Sequence, residues 1–251
     1  MNTVSNFSSC EEDDVLSDLG ALPVEESERR PTCDRCTRPT SVCLCPYLPS
    51  ERAQVSTNLY IIQHPHEEVR VLRTVPILDI SLPQDKVHVI RGRRFNRHAL
   101  LDKITSYPNT LLLFPGPGAV DLQSIPLDSY PSYNLILIDG TWPQARGIYS
   151  NNRFLHRPKQ VKLSLNVVSE YVIRTQPTDA ALSTLEAAAF ALSVLENKPE
   201  LIEILTKPLR ALCDFQLEHG AVPHQSKEYL KKNGLCKKKI PSNQRKNEDD
   251  S

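Results

Sequence analysis

Glycine is scarce in this chain, 8 among 251 residues, and there is a single Trp and a single Met. Glycine at well under its usual ~7% excludes collagen-like or glycine-rich linker architectures. No glycines form a G-x-G-x-x-G or a G-x-x-x-x-G-K-[ST] pattern, which argues against a Rossmann dinucleotide enzyme and a P-loop nucleotidase. No apolar run approaches the ~18–20 residues of a membrane span; the best candidates, 111–114 and 135–138, have the length of strands. The opening stretch runs into Glu11, Glu12, Asp13 and Asp14 and lacks the basic and apolar segments of a secretory signal. The expectation is a soluble, intracellular protein without membrane contact.

Net charge is lacking too. Thirty Lys and Arg offset thirty Asp and Glu, and a neutral sum taken alone argues against a polyanionic partner. The neutrality is a cancellation between ends. Residues 1–30 hold two bases and eight acids, residues 227–251 eight bases and four acids, and the remainder twenty bases and eighteen acids, so everything beyond residue 30 carries +6. The composition divides the chain into an acidic leader at 1–30 expected to be disordered, a Cys-rich module at 31–50, a single domain at 51–226 and a basic, largely disordered tail at 227–251.

Between residue 55 and the tail, short apolar runs alternate with segments of helical period. Residues 55–63, 86–91, 110–114 and 133–139 read as strands, and 67–80, 96–105, 142–150 and 184–196 as helices. Near-continuous apolar strands such as Leu135-Ile136-Leu137-Ile138 suit a parallel sheet covered on both faces. The class is therefore α/β, a mostly parallel sheet with helices on both faces. Residues 200–220 read as one more helix, with Pro208 starting or kinking a turn.

Seven Cys is an odd number, and four of them, Cys33, Cys36, Cys43 and Cys45, lie within thirteen residues. Four thiolates can close a tetrahedral shell at ~2.3 Å around one ion and leave no open position, the pattern of a structural zinc site. Free or redox-active thiols are the alternative; Cys10, Cys213 and Cys236 read as bystanders. The module is too short for an apolar core of its own and needs a metal or a neighbour to fold around.

Chemistry is also carried by Asp139-Gly140-Thr141-Trp142-Pro143-Gln144, which follows a buried strand and leads into a helix. In open α/β sheets this strand end is where ligands bind; the plainer alternative is that Asp139 or Thr141 caps the helix and Trp142 is core. A second loop, Phe114-Pro115-Gly116-Pro117-Gly118, follows another apolar strand, and four of the eight glycines fall between Gly116 and Gly147. Ser183 and Glu186 fit a capping box, with or without a ligand on the helix N-terminus. His64, His66, Glu67 and Glu68 suggest a second metal, but Pro65 breaks the helical spacing, so a loop role or a substrate contact fits better. Basic residues cluster at Arg91, Arg93, Arg94 and Arg97 and again at Arg146, Arg153 and Lys159, with no acid from 140 to 169. Such runs are either a solvated face or an RNA footprint.

Taken together, Cys33-x2-Cys36-x-Arg38-Pro39-x3-Cys43-x-Cys45, Gln63-His64-Pro65, Asp139-Gly140-Thr141-Trp142 with Gln144-Ala145, Tyr171-x2-Arg174 and Ser183-Thr184-x-Glu186-Ala187 resemble the DTW-domain tRNA-uridine aminocarboxypropyltransferases, over about residues 28–234. The resemblance implies a fold related to the SPOUT methyltransferases, in which the C-terminal part of the sheet region can carry a trefoil knot. It implies transfer of the 3-amino-3-carboxypropyl group of S-adenosylmethionine to N3 of a tRNA uridine, in the D-loop, releasing methylthioadenosine.

Asp139 then becomes the base or the anchor of the ligand's amino group, and Trp142 the partner of the sulfonium cation. Phe114, Gly116, Gly140, Thr141, Gln144, Arg174, Ser183, Thr184 and Glu186 become co-substrate contacts. The basic residues become the tRNA contacts, and Zn2+ the structural ion. No obligate protein partner is implied, and the expected location is nucleus and cytoplasm, with Lys237–239 as RNA contact or nuclear signal. Two other functions remain open at this point: a SPOUT-type S-adenosylmethionine-dependent RNA methyltransferase, and a non-catalytic zinc-dependent RNA-binding adaptor.

Overall fold

The computed structural model describes residues 30–164, 168–174 and 181–235. The leader before residue 30, most of the basic tail and two pieces of the connection between 163 and 183 lie outside the described residues, and with those pieces the expectation of a knot.

Six strands form one sheet: β1 (Asn58–Gln63), β2 (Val87–Arg91), β3 (Thr110–Leu113), β4 (Val120–Asp121), β5 (Asn134–Asp139) and β6 (Lys159–Lys162). Their order is β2-β1-β5-β3-β6-β4 and every pairing is parallel. The apolar runs are continuous because successive side chains point to opposite faces, and both faces are covered. Leu59, Ile61, Leu111, Leu135, Leu137 and Val161 enter one cluster, which includes α2 (Val75–Ser81), α5 (Thr184–Leu195) and α6 (Glu200–Glu218). Tyr60, Ile62, Leu112 and Ile136 enter the other, with α3 (Ala99–Ile104) and α4 (Trp142–Asn151).

Four of the six strands and most helices fall where the periodicity places them. The helix expected at 67–80 is two pieces, α1 (Pro65–Glu68) and α2, with 69–74 non-helical between them. Pro76 stands in the first turn of α2; it has no N–H for the Leu72 carbonyl and its ring would clash there, so it is tolerated at a helix start but not in a helix continuing from 67. Val69 and Val71, apolar by pattern, are 81% and 86% exposed in the break. Pro208 neither starts nor ends a helix: α6 runs through it for 19 residues, with the ring buried. The missing N–H leaves the Ile204 carbonyl unserved, and packing of Leu201, Leu205, Leu209 and Leu212 in the large cluster offsets that loss. β4, two residues at the sheet edge, and its inner neighbour β6, in which only Val161 is buried, carry no apolar run to announce them. Residues 227–232, read as the start of a disordered tail, form α7 (Lys227–Lys232), capped by the Ser226 hydroxyl accepting from the Tyr229 N–H at 2.9 Å.

The Cys-rich module does not stand apart. Cys36, Leu44 and Leu48 are buried in the same cluster as α2 and α6, and Tyr47 meets Phe215 edge to face at 5.9 Å. Among the described residues no helix is long and apolar enough to cross a membrane.

Candidate active site

The C-terminal ends of β1 and β5 lie side by side in register, so that Gln63 stands opposite Asp139. Asp139 is only 7% exposed, yet both of its oxygens are engaged: Oδ2 accepts from the Gln63 side-chain amide at 2.9 Å and Oδ1 from the Thr184 hydroxyl at 2.6 Å. Two donors on two oxygens fix the carboxylate plane and leave further lone pairs for a ligand. The backbone beyond Asp139 must turn closely. A Cβ on Gly140 would meet Gln144 Cβ at 3.2 Å and His64 Cβ at 3.4 Å, so a larger residue would require Gln144, in the first turn of α4, to give way by a few tenths of an ångström. Thr141 then caps α4, its N–H donating to Gln144 Oε1 at 2.7 Å.

Asp139 lies in the wall of a cleft of about 740 Å³ whose lining also includes Phe114, Gly140, Thr141, Trp142, Arg174, Ser183 and Thr184. Its apolar wall is Phe114, Leu137, Leu163 and Leu182, and Arg73, Arg146, Lys162, Arg174 and Lys227 outnumber the two acids, Glu67 and Asp139. Trp142 is 36% exposed and tilts against Phe114 at 6.5 Å. That volume suits a nucleoside-sized ligand, and a cationic lining suits a carboxylate or a phosphate chain.

Gly116, Gln144 and Glu186 are not in that lining. A Cβ on Gly116 would meet Gln160 Oε1 at 3.2 Å. Gln144 is spent on capping α4. Glu186 is 2% exposed; it closes the capping box with Ser183 and also accepts from the Glu170 N–H at 2.6 Å and the Ser169 hydroxyl at 2.8 Å. It therefore ties the segment bearing Tyr171 and Arg174 to the start of α5. Of the basic residues, Arg146 lines the cleft and Arg91 is paired with Glu68 at 3.0 Å. Arg93, Arg94, Arg97 and Arg153 are exposed. Lys159 begins β6 and Lys162 ends it, so the cleft at the C-terminal strand ends has Lys162 in its wall rather than Lys159.

The sequence pattern left Glu67 between a second metal site and a loop or substrate contact, and gave it no defined place in the site. His64 caps α1, Nδ1 accepting from the His66 N–H at 3.2 Å, and this turn delivers Glu67 buried into the cleft. There it meets Arg70 Nε at 3.1 Å and Arg174 Nη2 at 3.5 Å. The signal was present in Gln63-His64-Pro65, directly upstream. Burial, then the nearby His66 and Arg93 charges, push the His64 pKa down, consistent with a neutral ring accepting at Nδ1. Tyr171 donates to the Leu72 carbonyl at 2.8 Å, and burial pushes its phenol up to about 12, so it remains a donor.

The family model described as the DTW domain matches residues 30–217. The chain belongs to the DTW-domain family. Among curated proteins, it is 53% identical over 239 residues to tRNA-uridine aminocarboxypropyltransferase 2 of Macaca fascicularis, covering 94% of this chain and 80% of that one. It is 48% identical to the protein of the same name in Drosophila melanogaster, covering 91% of this chain and 92% of that one. It is 27% identical to tRNA-uridine aminocarboxypropyltransferase A of Arabidopsis thaliana, over 76% of this chain and 83% of that one. No solved structure matches the chain.

The DTW-domain match includes the Cys module, whose geometry fits a metal. The ligand atoms of Cys33, Cys36, Cys43 and Cys45 all lie within 4.8 Å of one another, with Cys33–Cys45 at 3.5 Å and Cys36–Cys43 at 3.6 Å. Tetrahedral Zn–S bonds of about 2.3 Å require sulfur separations of about 3.8 Å. The Cys33 N–H donates to the Arg38 carbonyl at 2.8 Å and the Thr37 N–H to the Cys33 carbonyl at 2.8 Å, a tight loop with Thr37 at φ 55°. Backbone N–H groups of Cys36 and Arg35 pull the Cys33 thiol down to about 6, while burial and the adjacent thiols push Cys45 up to about 12. Four clustered thiols resist common ionisation, and a dication removes that conflict.

Proposed function

We propose that this chain is a tRNA-uridine aminocarboxypropyltransferase that uses S-adenosylmethionine. The observation that carries the reading is Asp139, held by Gln63 and Thr184 at the C-terminal edge of the sheet in a nucleoside-sized cleft, in a chain 53% identical to a curated protein of that name. When bound, S-adenosylmethionine supplies the 3-amino-3-carboxypropyl group on an electron-poor sulfonium, and methylthioadenosine is the co-product.

The chain's residues have separable tasks. Phe114, Leu137 and Leu163 form the apolar wall against which an adenosine can lie. Trp142 offers a ring face to a cation, an interaction of about 0.5–2 kcal/mol. Glu67 and Asp139 are the two carboxylates of the lining and attract an ammonium. Arg174, only 3.5 Å from Glu67, attracts a carboxylate, as do the first amides of α5. The capping box uses the Ser183 and Glu186 N–H groups, so those of Thr184 and Leu185 are the orphan donors of that helix start. Asp139 can also accept the uracil N3 proton, for which its unused lone pairs are the acceptors. Orientation decides the product: the methionyl γ-carbon, not the methyl carbon, must face the uracil nitrogen.

The test is incubation of the purified protein with unmodified tRNA and S-adenosylmethionine, followed by mass spectrometry of the nucleosides. The expected result is a uridine heavier by an aminocarboxypropyl group in the D-loop and its loss with Asp139→Ala. A methyl mass instead would establish the methyltransferase function. No mass change, with tRNA still bound, would establish the adaptor. The lysines at 237–239 support a nuclear as well as a cytoplasmic location, which imaging of the tagged chain with and without them tests.

A further inference from the structure

A line of aromatic rings leaves the cleft and ends on the outer surface. Trp142 contacts Phe114 at 6.5 Å, Phe114 stacks on Tyr149 at 4.8 Å with 20° between planes, and Tyr149 stacks on His156 at 4.3 Å with 27°. Trp142, Arg146 and Tyr149 occupy positions i, i+4 and i+7 of α4, one face of the helix. Beyond the helix, Arg153 and His156 bound a single 3-10 turn. The inner members are packed, but both ends of the spine are open: Trp142 at the cleft and His156 outside it.

His156 is exposed and yet held. One ring face lies on Tyr149, and Nε2 is 3.1 Å from the Tyr149 carbonyl oxygen. An exposed ring restrained on one side presents the other as a flat surface whose ordering cost has already been met. Its surroundings are cationic. No Asp or Glu occurs from 140 to 169, and among the described residues Arg146 and Arg153 form no ion pair, whereas Arg157 is paired with Asp102 at 3.6 Å.

Asn152, 3% exposed, brings the other basic stretch to this place. Its Nδ2 donates to the Arg93 carbonyl at 3.0 Å and to the Ile148 carbonyl, and its Oδ1 accepts from the Phe95 N–H at 2.8 Å. The loop carrying Arg93 and Arg94 is thus clipped to the end of α4. Two cation-rich stretches that are some 50 residues apart in sequence become one surface. Stacking faces set in a cationic groove are the elements that bind unpaired RNA.

We propose that unpaired nucleotides flanking the target uridine lie along α4, one base on Trp142 at the cleft mouth and another on the outer face of His156, with Arg146 and Arg153 on the phosphates between them. This inference rests on the proposed tRNA substrate but not on the transferred group. It assigns His156 a positioning role outside the cleft.

The test measures binding of unmodified tRNA to the full chain by fluorescence anisotropy across a salt series, and KM for tRNA and for S-adenosylmethionine separately. His156→Ala weakens tRNA binding at least about fivefold, the lower bound for one base–aromatic stack, and raises KM for tRNA but not for S-adenosylmethionine. His156→Phe restores binding, which a merely structural imidazole would not require. Arg153→Gln lowers the salt slope by about one. Unchanged binding in His156→Ala and Arg153→Gln, in a protein that still modifies tRNA, overturns the track and leaves the transferase standing. His156-dependent binding by a protein that transfers nothing overturns the transferase and leaves the track.

Discussion

Glu186 provides the sharpest test of how the fold holds the active site. Its carboxylate is buried and accepts from the Ser183 N–H at 2.7 Å, the Glu170 N–H at 2.6 Å and the Ser169 hydroxyl at 2.8 Å. The two N–H groups bind different oxygens, Oε2 and Oε1. Glu186→Gln keeps the shape but replaces one oxygen with an NH2 group, so one buried N–H faces another donor. Losing such a bond and orphaning its donor costs about 2–4 kcal/mol. Glu186→Ala removes all three acceptor contacts and costs more, a large share of a total stability of about 5–15 kcal/mol.

The damage is local first, because the contacts join residues 168–174 to α5. At about 2 kcal/mol the open population of that segment rises about 30-fold. Tyr171 and Arg174 leave the cleft with it, so KM for S-adenosylmethionine rises. Urea unfolding measures the global cost and hydrogen exchange at the Glu170 amide the local one. A Glu186→Gln variant within about 0.5 kcal/mol of the parent, with unchanged exchange at Glu170, would refute the clamp.

Three further outcomes are expected. Metal analysis finds one zinc per chain, and chelation lowers the unfolding midpoint of the whole domain without a separate early transition, since Cys36, Leu44 and Leu48 belong to the main cluster; an independent transition of the module refutes that coupling. Thr184→Val removes one of the two donors holding Asp139 and lowers kcat/KM about 10- to 100-fold, the equivalent of a hydrogen bond to a charged group, while unaltered kcat/KM removes Thr184 from the site. Glu196 is subject to burial, which raises its pKa, but hydrogen bonds from the Thr57 hydroxyl and the Ser56 and Thr57 N–H groups outweigh it and bring the pKa below 4.5. A depressed carboxylate stabilises the fold above the unfolded value and loses that contribution as the pH falls through the folded one; Glu196→Gln therefore flattens the stability-versus-pH curve below about 4.5, and a curve identical to the parent's counts against the contact.

The central strands β1, β3 and β5 were legible as apolar runs, and α4 and α5 began where Thr141 and Ser183 announced caps. The break after α1 was missed because the apolar spacing of Val69 and Leu72 fits a helical period, and that period outweighed Pro76, which lies within the same stretch and rules out a bond to the Leu72 carbonyl. Glu186 looked like a ligand contact with a capping role; the capping was visible in Ser183-x-x-Glu186, but its hold on Ser169 and Glu170 was not. Glu67 was weighed as a metal ligand or a substrate contact, and its burial beside Arg174 depends on a segment 107 residues away.

What the sequence determined by itself is local: alternation and helical period, caps, a four-thiol cluster within thirteen residues, and an acid placed at the end of a buried strand. Tertiary structure decided which of these meet. Gln63 reaches Asp139 because β1 lies beside β5, across 76 residues of chain, and Thr184 reaches it because α5 begins over the same strand end, 45 residues on. Backbone pattern specifies an element's period and its ends, but strand order and register follow from packing the whole sheet against both helical layers, so the contacts that orient Asp139 exist only in the assembled fold.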